Sequence, residues 1–423
     1  MESLSTDCVI AGGGPAGMML GYLLARAGVD VTVLEKHKDF LRDFRGDTVH
    51  PSTLQVMHEL GLLERFLELP HAKVRHLTLE IGDRRFNVGD FSRVSTIAKF
   101  IALMPQWDFL DFLAQEGRKL PNFHLLMETE AKDLIAQGDK IVGVLATGAR
   151  SVGEAGNDSV PASDRKKVNV QIRAGLTVAA DGRHSTLRAR SGLPLKEIGA
   201  PFDVLWLRLP MRAGDPVDVV GRIKGGQMFV MIPRGDYWQC ALVIPKNGYD
   251  QIRGEGLGKF RVRLKAIAGF AAPHVDDAIT SFDQVRLLTV AVDRLEKWAR
   301  PGLVCIGDAA HAMSPVGGVG INLAVQDAVA AANILAPVLR QGVPALRDLR
   351  KVQKRREFPT RVIQAIQVFA QKRILAPTLA ATGKTIQPPW ILKLFDRHPL
   401  LQRIPAQVLG VGVRPEHVQI AKK

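Results

Sequence analysis

Two glycine-rich stretches nearly three hundred residues apart hold the residues of this chain best spaced for chemistry. The first, "DCVIAGGGPAGMMLGYLLARAG", runs from Asp7 to Gly28. Gly12, Gly14 and Gly17 fit G-x-G-x-x-G, with Pro15 and Ala16 inside the pattern, between an apolar run and a helical one. In such a turn the first glycine permits the sharp reversal, the second lets a pyrophosphate reach the backbone, and the third lets helix and strand pack closely. The phosphate then meets free N–H groups at the positive end of a helix. Glu35 follows Gly17 by 18 residues, at the end of the next strand-like run. A carboxylate there can accept hydrogen bonds from both hydroxyls of an adenosine ribose and would repel a 2′-phosphate. The expectation is a dinucleotide other than NADP in this pocket, against the plainer reading of a structural glycine turn.

The second stretch, "VCIGDAAHAMSPVGGVGINLAVQDA", runs from Val304 to Ala328. Gly307 and Asp308 close a buried strand and aim a carboxylate at whatever the first loop holds. Such a group could grip a ribityl chain, which FAD has and NAD lacks. "GGVGIN", Gly317 to Asn322, then strips away side chains and opens a helix. Its N–H groups and dipole can stabilise the negative charge that reduced flavin carries at N1–C2=O. One extended FAD touching both loops would explain why the chain carries two; a glycine turn with an Asp cap is the plainer reading.

With "GGGPAG" (Gly12–Gly17), "ADGRHSTLR" (Ala180–Arg188) and "GDAAHAMSPVGGVGIN" (Gly307–Asn322) in this order, the chain resembles the group A FAD-dependent aromatic monooxygenases. These are the p-hydroxybenzoate hydroxylase-like enzymes, including ubiquinone-pathway hydroxylases. The resemblance implies that Asp181 and Gly182 are associated with FAD and NAD(P)H, and that Asp308 holds the ribityl chain. It puts Pro315 near the flavin ring, with Gly318, Gly320 and Asn322 at the pyrimidine edge. It also implies FAD contacts for Arg45, in "RGDTVHPSTL", and Gln106, in "MPQWDFL". The activity implied is hydroxylation of an aromatic or related activated small molecule by NAD(P)H and O2, through a flavin C4a-hydroperoxide. The alternatives are a dehydrogenase or reductase on the same fold, and a non-catalytic binder like the GDP-dissociation inhibitors. No W-x-W-x-I-P segment of flavin halogenases is present.

The elements that must position these residues follow from hydrophobic period. Cys8–Ala11, Pro15–Ala27 and Val31–Leu34 read as a βαβ start, and Ser52–Leu69 and Trp107–Leu120 as helices. Arg75–Phe91, Leu134–Leu145, Val168–Ala179 and several runs between 200 and 290 read as strands, with a helix over Phe260–Gly269. The Gly/Ser/Asp-rich stretch Thr147–Lys167 reads as a surface hairpin loop. A strand at Leu303–Ile306 leads into a long helix from Gly320 to Arg340. The fold class expected is α/β: a Rossmann-like FAD-binding domain, a mid-chain, mostly antiparallel β-sheet substrate domain, and a C-terminal helical region. The boundaries expected are 1–72, 100–190 and 291–340 for the first, 73–99 and 191–290 for the second, and 341–423 for the third.

The substrate pocket is expected to be dry and mostly apolar, with Met228, Val230, Trp238 and Leu242 as candidate lining or sheet core. His50 could be a base toward a phenol proton or an ordinary loop histidine, and His311 reads as structural; no catalytic base and no metal site are assigned. Three cysteines, Cys8, Cys240 and Cys305, make no disulfide framework. No uncharged apolar run approaches about 20 residues, so the expected setting is cytoplasmic. The net charge of +15 is uneven: from Arg340 onward 17 Lys and Arg face 4 Asp and Glu, leaving only +2 on the rest. Without a recognition motif this excludes nucleic acid as the reading of choice. It leaves a solvated helical cap, or a peripheral contact with an anionic membrane through "PPWILKLF", with Trp390, Ile391, Leu392, Leu394 and Phe395 as anchors.

Overall fold

The structure is a computed structural model; it describes residues 2–41, 48–82, 84–148, 168–216, 218–380, 388 and 390–420. Arg45 and most of the expected hairpin loop, residues 149–167, lie outside the described residues.

The apolar runs Glu2–Ala11, Val31–Leu34, Phe123–Leu126, Val168–Ala179 and Leu303–Cys305 form parallel strands in one sheet. Their site-proximal ends are buried on both faces, as unbroken Val/Ile/Leu runs require. The helices Pro15–Arg26, Gln106–Gly117 and Gly320–Leu339 pack in the same core as these strands. Register matters most. Ala11 pairs with both Leu34 and Ala179, and Ala179 with Cys305. Four strands therefore end level, and Gly12, Glu35, Ala180 and Ile306 leave the sheet along one edge, where ligands of open α/β sheets bind. A hairpin of Thr129–Gln137 and Lys140–Gly148 adds antiparallel strands to the N-terminal half of Val168–Ala179.

The second sheet has seven strands and is antiparallel except where Val220–Lys224 runs parallel to His76–Ile81. One face, with Leu205, Leu207, Phe229, Met231, Trp238, Cys240 and Leu242, is closed by the Leu257–Ala268 helix. The other carries Phe202, Val204, Trp206, Met228, Val230, Ala241 and Val243 and turns toward Val316. Ser52–Leu69 is not one helix. Pro51–Glu59 and Leu63–Phe66 are separated at Gly61, whose φ of 71° is left-handed.

The basic C-terminal region contains the helices Leu346–Ala370, Ala376–Ala380, Trp390–Arg397 and Arg403–Gly410. The first buries Arg356, Gln364 and Gln367 along one face. Among the described residues one helical stretch, Val316–Leu339, is long and apolar enough to cross a membrane, and 83% of its most apolar window is buried inside the protein.

Candidate active site

Each glycine of the first loop has a distinct steric role. Gly12 has φ 108°, and a methyl built on it would overlap the Ala180 carbonyl. One on Gly17 would overlap the Gly12 carbonyl oxygen. Gly14 is the opposite case: a Cβ there meets nothing within 4 Å, and no side chain caps the helix that begins at Pro15. The result is an uncapped helix start beside open space, a cradle that fits a pyrophosphate. Glu35 is buried. One oxygen accepts from Gly13 N at 3.1 Å; the other accepts from His37 N at 3.1 Å and lies 2.5 Å from His37 Nδ1. It clamps the glycine loop as well as presenting a carboxylate at the sheet edge.

The middle motif meets the first at Gly12. Asp181 accepts from the Ser185 hydroxyl and from Leu187 N at 3.2 Å, so its carboxylate caps the turn into the Thr186–Ser191 helix. Burial pushes its pKa up despite these hydrogen bonds. Gly182 takes a left-handed φ of 85°. Arg183 reaches Asp308 at 3.4 Å and joins the middle motif to the last. The Asp308 carboxylate is 30% exposed, in a turn otherwise buried. Gly307 packs on the first loop: a Cβ there would lie 3.0 Å from the Ala16 methyl.

The Pro315–Asn322 segment is held from outside. Thr48 Oγ1 donates to Gly318 O at 2.8 Å, and His50 Nε2 donates to the same oxygen at 3.1 Å. Ser52 and Thr53 hydroxyls donate to the Asn322 side-chain oxygen, the second at 3.0 Å. Asn322 thus ties the long helix to Pro51–Glu59 by its side chain, leaving its backbone for the loop. Gln367 clasps the segment from the C-terminal helix, donating to Ser314 O and Val316 O at 2.9 Å and accepting from Ser314 N. The helix at Gly320 has no side-chain cap. Pro315 is half-buried at the start of this segment. Gln106 opens its helix, also half-buried, just after the Ile101–Leu103 strand that pairs with Thr48–Val49.

His50 is no base. It is fully buried, and burial pushes its pKa down to about 4, against weaker opposing hydrogen bonds to the Gly318 and Leu409 backbone. Of the four candidate lining residues, Met228 and Val230 are half-buried on the face toward Val316, while Trp238 and Leu242 are core on the opposite face. Sequence reasoning missed Arg183 and Thr48, which lie inside the quoted motifs, and Gln364 and Gln367, three residues apart on a basic helix, of which Gln364 donates to Asp293 O at 2.8 Å and Ala312 O at 3.2 Å. His311 is buried against Asp327 at 2.6 Å, the structural role expected of it.

Residues 5–366 match the family described as "FAD binding domain". The 6-methylpretetramide 4-monooxygenase of Streptomyces rimosus is 32% identical over 376 residues, 89% of this chain and 86% of that protein. The rifampicin monooxygenase of Streptomyces venezuelae is 28% identical over 76% of this chain, which spans only 62% of that longer protein. In fold, the crystal structure of p-nitrophenol 4-monooxygenase PnpA from Pseudomonas putida DLL-E4 superposes with a TM-score of 0.72 at 19% identity, covering 98% of this chain and all of that one. The chain belongs to the FAD-binding-domain family of FAD-dependent aromatic monooxygenases.

Proposed function

We propose that this enzyme hydroxylates an apolar aromatic molecule seated between the Pro315–Asn322 segment and the sheet face formed by Trp206, Met228 and Val230. One observation carries the reading: these three side chains are only half-buried, yet belong to one apolar cluster with Val316 of the glycine segment. Such a wall binds a flat apolar ring and keeps water out. The residues fit FAD. The Gly14 opening and the Pro15 helix start would take its pyrophosphate, Glu35 its adenosine ribose and Asp308 its ribityl chain. Gly318, Gly320 and Asn322 backbone would meet the pyrimidine edge, where an uncapped helix start stabilises negative charge. Gly307, Ala16, Gly12 and Gly17 would support these groups by close packing, with Asp181 and Gly182 shaping the adjoining turn. The chemistry FAD supplies when bound is acceptance of a hydride from NAD(P)H and activation of O2. The chain's part is to orient the ring and exclude water.

The test is oxygen balance. The yellow holoenzyme, given NADH or NADPH with a panel of phenols, should consume O2 and place labelled oxygen from O2 in a product. Poorly fitting phenols should divert the cycle to hydrogen peroxide. Reduced enzyme that ignores O2 and passes electrons only to another acceptor would make it a dehydrogenase.

The basic tail supports a second, peripheral role, contact with an anionic membrane that supplies a lipophilic substrate. Of the anchors the sequence suggests, Trp390 is open and Leu392 is not, while the Ile391 side chain lies outside the described residues. Leu392 is 6% exposed and packs on Ile81, Phe86 and Ile223 with Phe395 beside it, whereas Trp390 is 74% exposed and Leu400 and Ile404 are also open. Each Lys or Arg near an anionic surface contributes about 1 kcal/mol, screened by salt. The protein should co-sediment with phosphatidylserine vesicles at low salt and release at high salt, and Trp390→Ala should weaken that binding severalfold. Full-length protein left in the supernatant at low salt would reduce the tail to a structural cap.

A further inference from the structure

Beneath the Gly307–Asp308 turn lies a buried chain of charges. Asp327, on the long helix, is 0% exposed. Its Oδ2 accepts from Gly307 N at 3.0 Å and from His311 Nε2 at 2.6 Å; its Oδ1 accepts from Arg356 Nε at 3.0 Å. Arg356, 1% exposed, donates onward to Glu416 Oε1 and to Arg414 O, both at 3.2 Å. Glu416 also accepts from Arg355 Nε at 2.7 Å, and its own N–H donates to Gln326. The neighbouring tail is pinned too: His417 and Val418 N to Glu59, and Gln419 N to Asn333. The Trp298 ring lies 4.9 Å from the His311 ring, centroid to centroid.

Such a chain is costly to bury. Ions taken out of water gain back that cost only when well paired, and replacing them by apolar groups is often neutral or stabilising. Stability alone is therefore a weak account of it. Its geometry suggests another: one end is the backbone N–H of Gly307, next to the one half-exposed carboxylate of the motif, and the other end is the last segment of the chain. Asp327 is held ionised, since His311 and Arg356 outweigh the effect of burial and keep its pKa below the usual carboxylate range.

We propose that Asp327, Arg356 and Glu416 are positioning residues that fix the Gly307–Asp308 turn, so that FAD affinity and the flavin's reduction potential depend on the C-terminal strap. The proposal rests on the reading of Asp308 as a FAD ligand. Asp327 and Glu416 are the buried carboxylates of the chain, paired with the buried Arg356 and the one-third-exposed Arg355, so removing either negative charge makes the potential beneath the turn more positive in a poorly screened interior. The reduced, anionic flavin then gains more than the oxidised form, and the potential moves positive.

The experiment uses full-length holoenzyme and three variants. Asp327→Asn keeps an acceptor for Gly307 and loses the charge; Glu416→Gln removes the far charge; Asp308→Ala tests the underlying reading. FAD dissociation is followed by the fluorescence of released FAD, the potential by dye-coupled reduction, and folding by the melting temperature of the apoprotein. Asp327→Asn should raise the FAD dissociation constant about tenfold, and Glu416→Gln about fivefold. Both should shift the potential positive. The double variant should fall short of the product of the two, because the groups act in series. An unchanged dissociation constant and potential in Glu416→Gln overturns the relay, whatever happens to the melting temperature. This holds even where Asp327→Asn fails to fold. Loss of FAD in Asp308→Ala with no effect of Glu416→Gln sinks the relay and keeps Asp308 as ligand; unchanged FAD affinity in Asp308→Ala removes the premise, and the relay as proposed falls with it.

Discussion

Gly14→Ala will leave the apoprotein as stable as the parent and weaken FAD binding at least tenfold, whereas Gly17→Ala will destabilise the apoprotein itself. The two glycines are three residues apart in one motif, and the difference between them is steric. Gly14 sits at φ −76°, which any residue adopts, and a methyl there enters empty space. That space borders the free N–H groups of the helix start, so the methyl costs nothing until a phosphate must come in beside it. A tenfold loss corresponds to about 1.4 kcal/mol. A methyl on Gly17 instead overlaps the Gly12 carbonyl, which is backbone and cannot swing aside. Helix and strand must separate, at a cost of about 3 kcal/mol or more. Melting curves of the apoproteins and FAD titrations separate the cases. Equal melting temperatures for the two variants, or a Gly14→Ala protein that binds FAD like the parent, would refute the assignment of roles.

What the sequence made legible was whatever obeyed a local rule. The glycine spacing after an apolar run, the acid at the end of the next strand and the carboxylate after Gly307 each follow from short-range geometry. The strand register then brings them to one edge. Side-chain parity in the second sheet was not legible. Tyr237–Pro245 is buried on both faces except at its ends, so alternation could not separate Trp238 and Leu242 from residues on the site face. The tail's charge could be counted, but not its orientation: Leu392 turns inward and Trp390 outward from a helix of eight residues. The Asp327 chain was least visible. Asp327, Arg356 and Glu416 look like ordinary surface residues until three distant segments meet, and only buried pairing gives them meaning.

Stability at mild acid pH should fall by about 3 kcal/mol through His50 alone. The folded protein holds this histidine near pKa 4, against its ordinary 6.5. As pH drops below about 6.5 the unfolded chain binds a proton at this position and the folded chain does not, so the native state loses ground at about 1.4 kcal/mol per pH unit. The contribution is intact above 6.5, is lost between 6.5 and about 4, and changes no further below that. A neutral glutamine has no such linkage, though it will cost some stability at all pH values by leaving a fully buried site imperfectly filled. Denaturant unfolding of the parent and of His50→Gln should therefore give pH profiles that converge as the pH falls from neutrality toward about 4.5. Parallel profiles would mean that His50 titrates normally. The consequence extends beyond stability, because His50 donates to Gly318 O. A proton forced onto the buried ring places an unsolvated charge against the Gly318 and Leu409 backbone, which disturbs the glycine segment proposed to face the flavin. FAD release should accordingly quicken over the same pH interval in the parent, and to a smaller extent in His50→Gln.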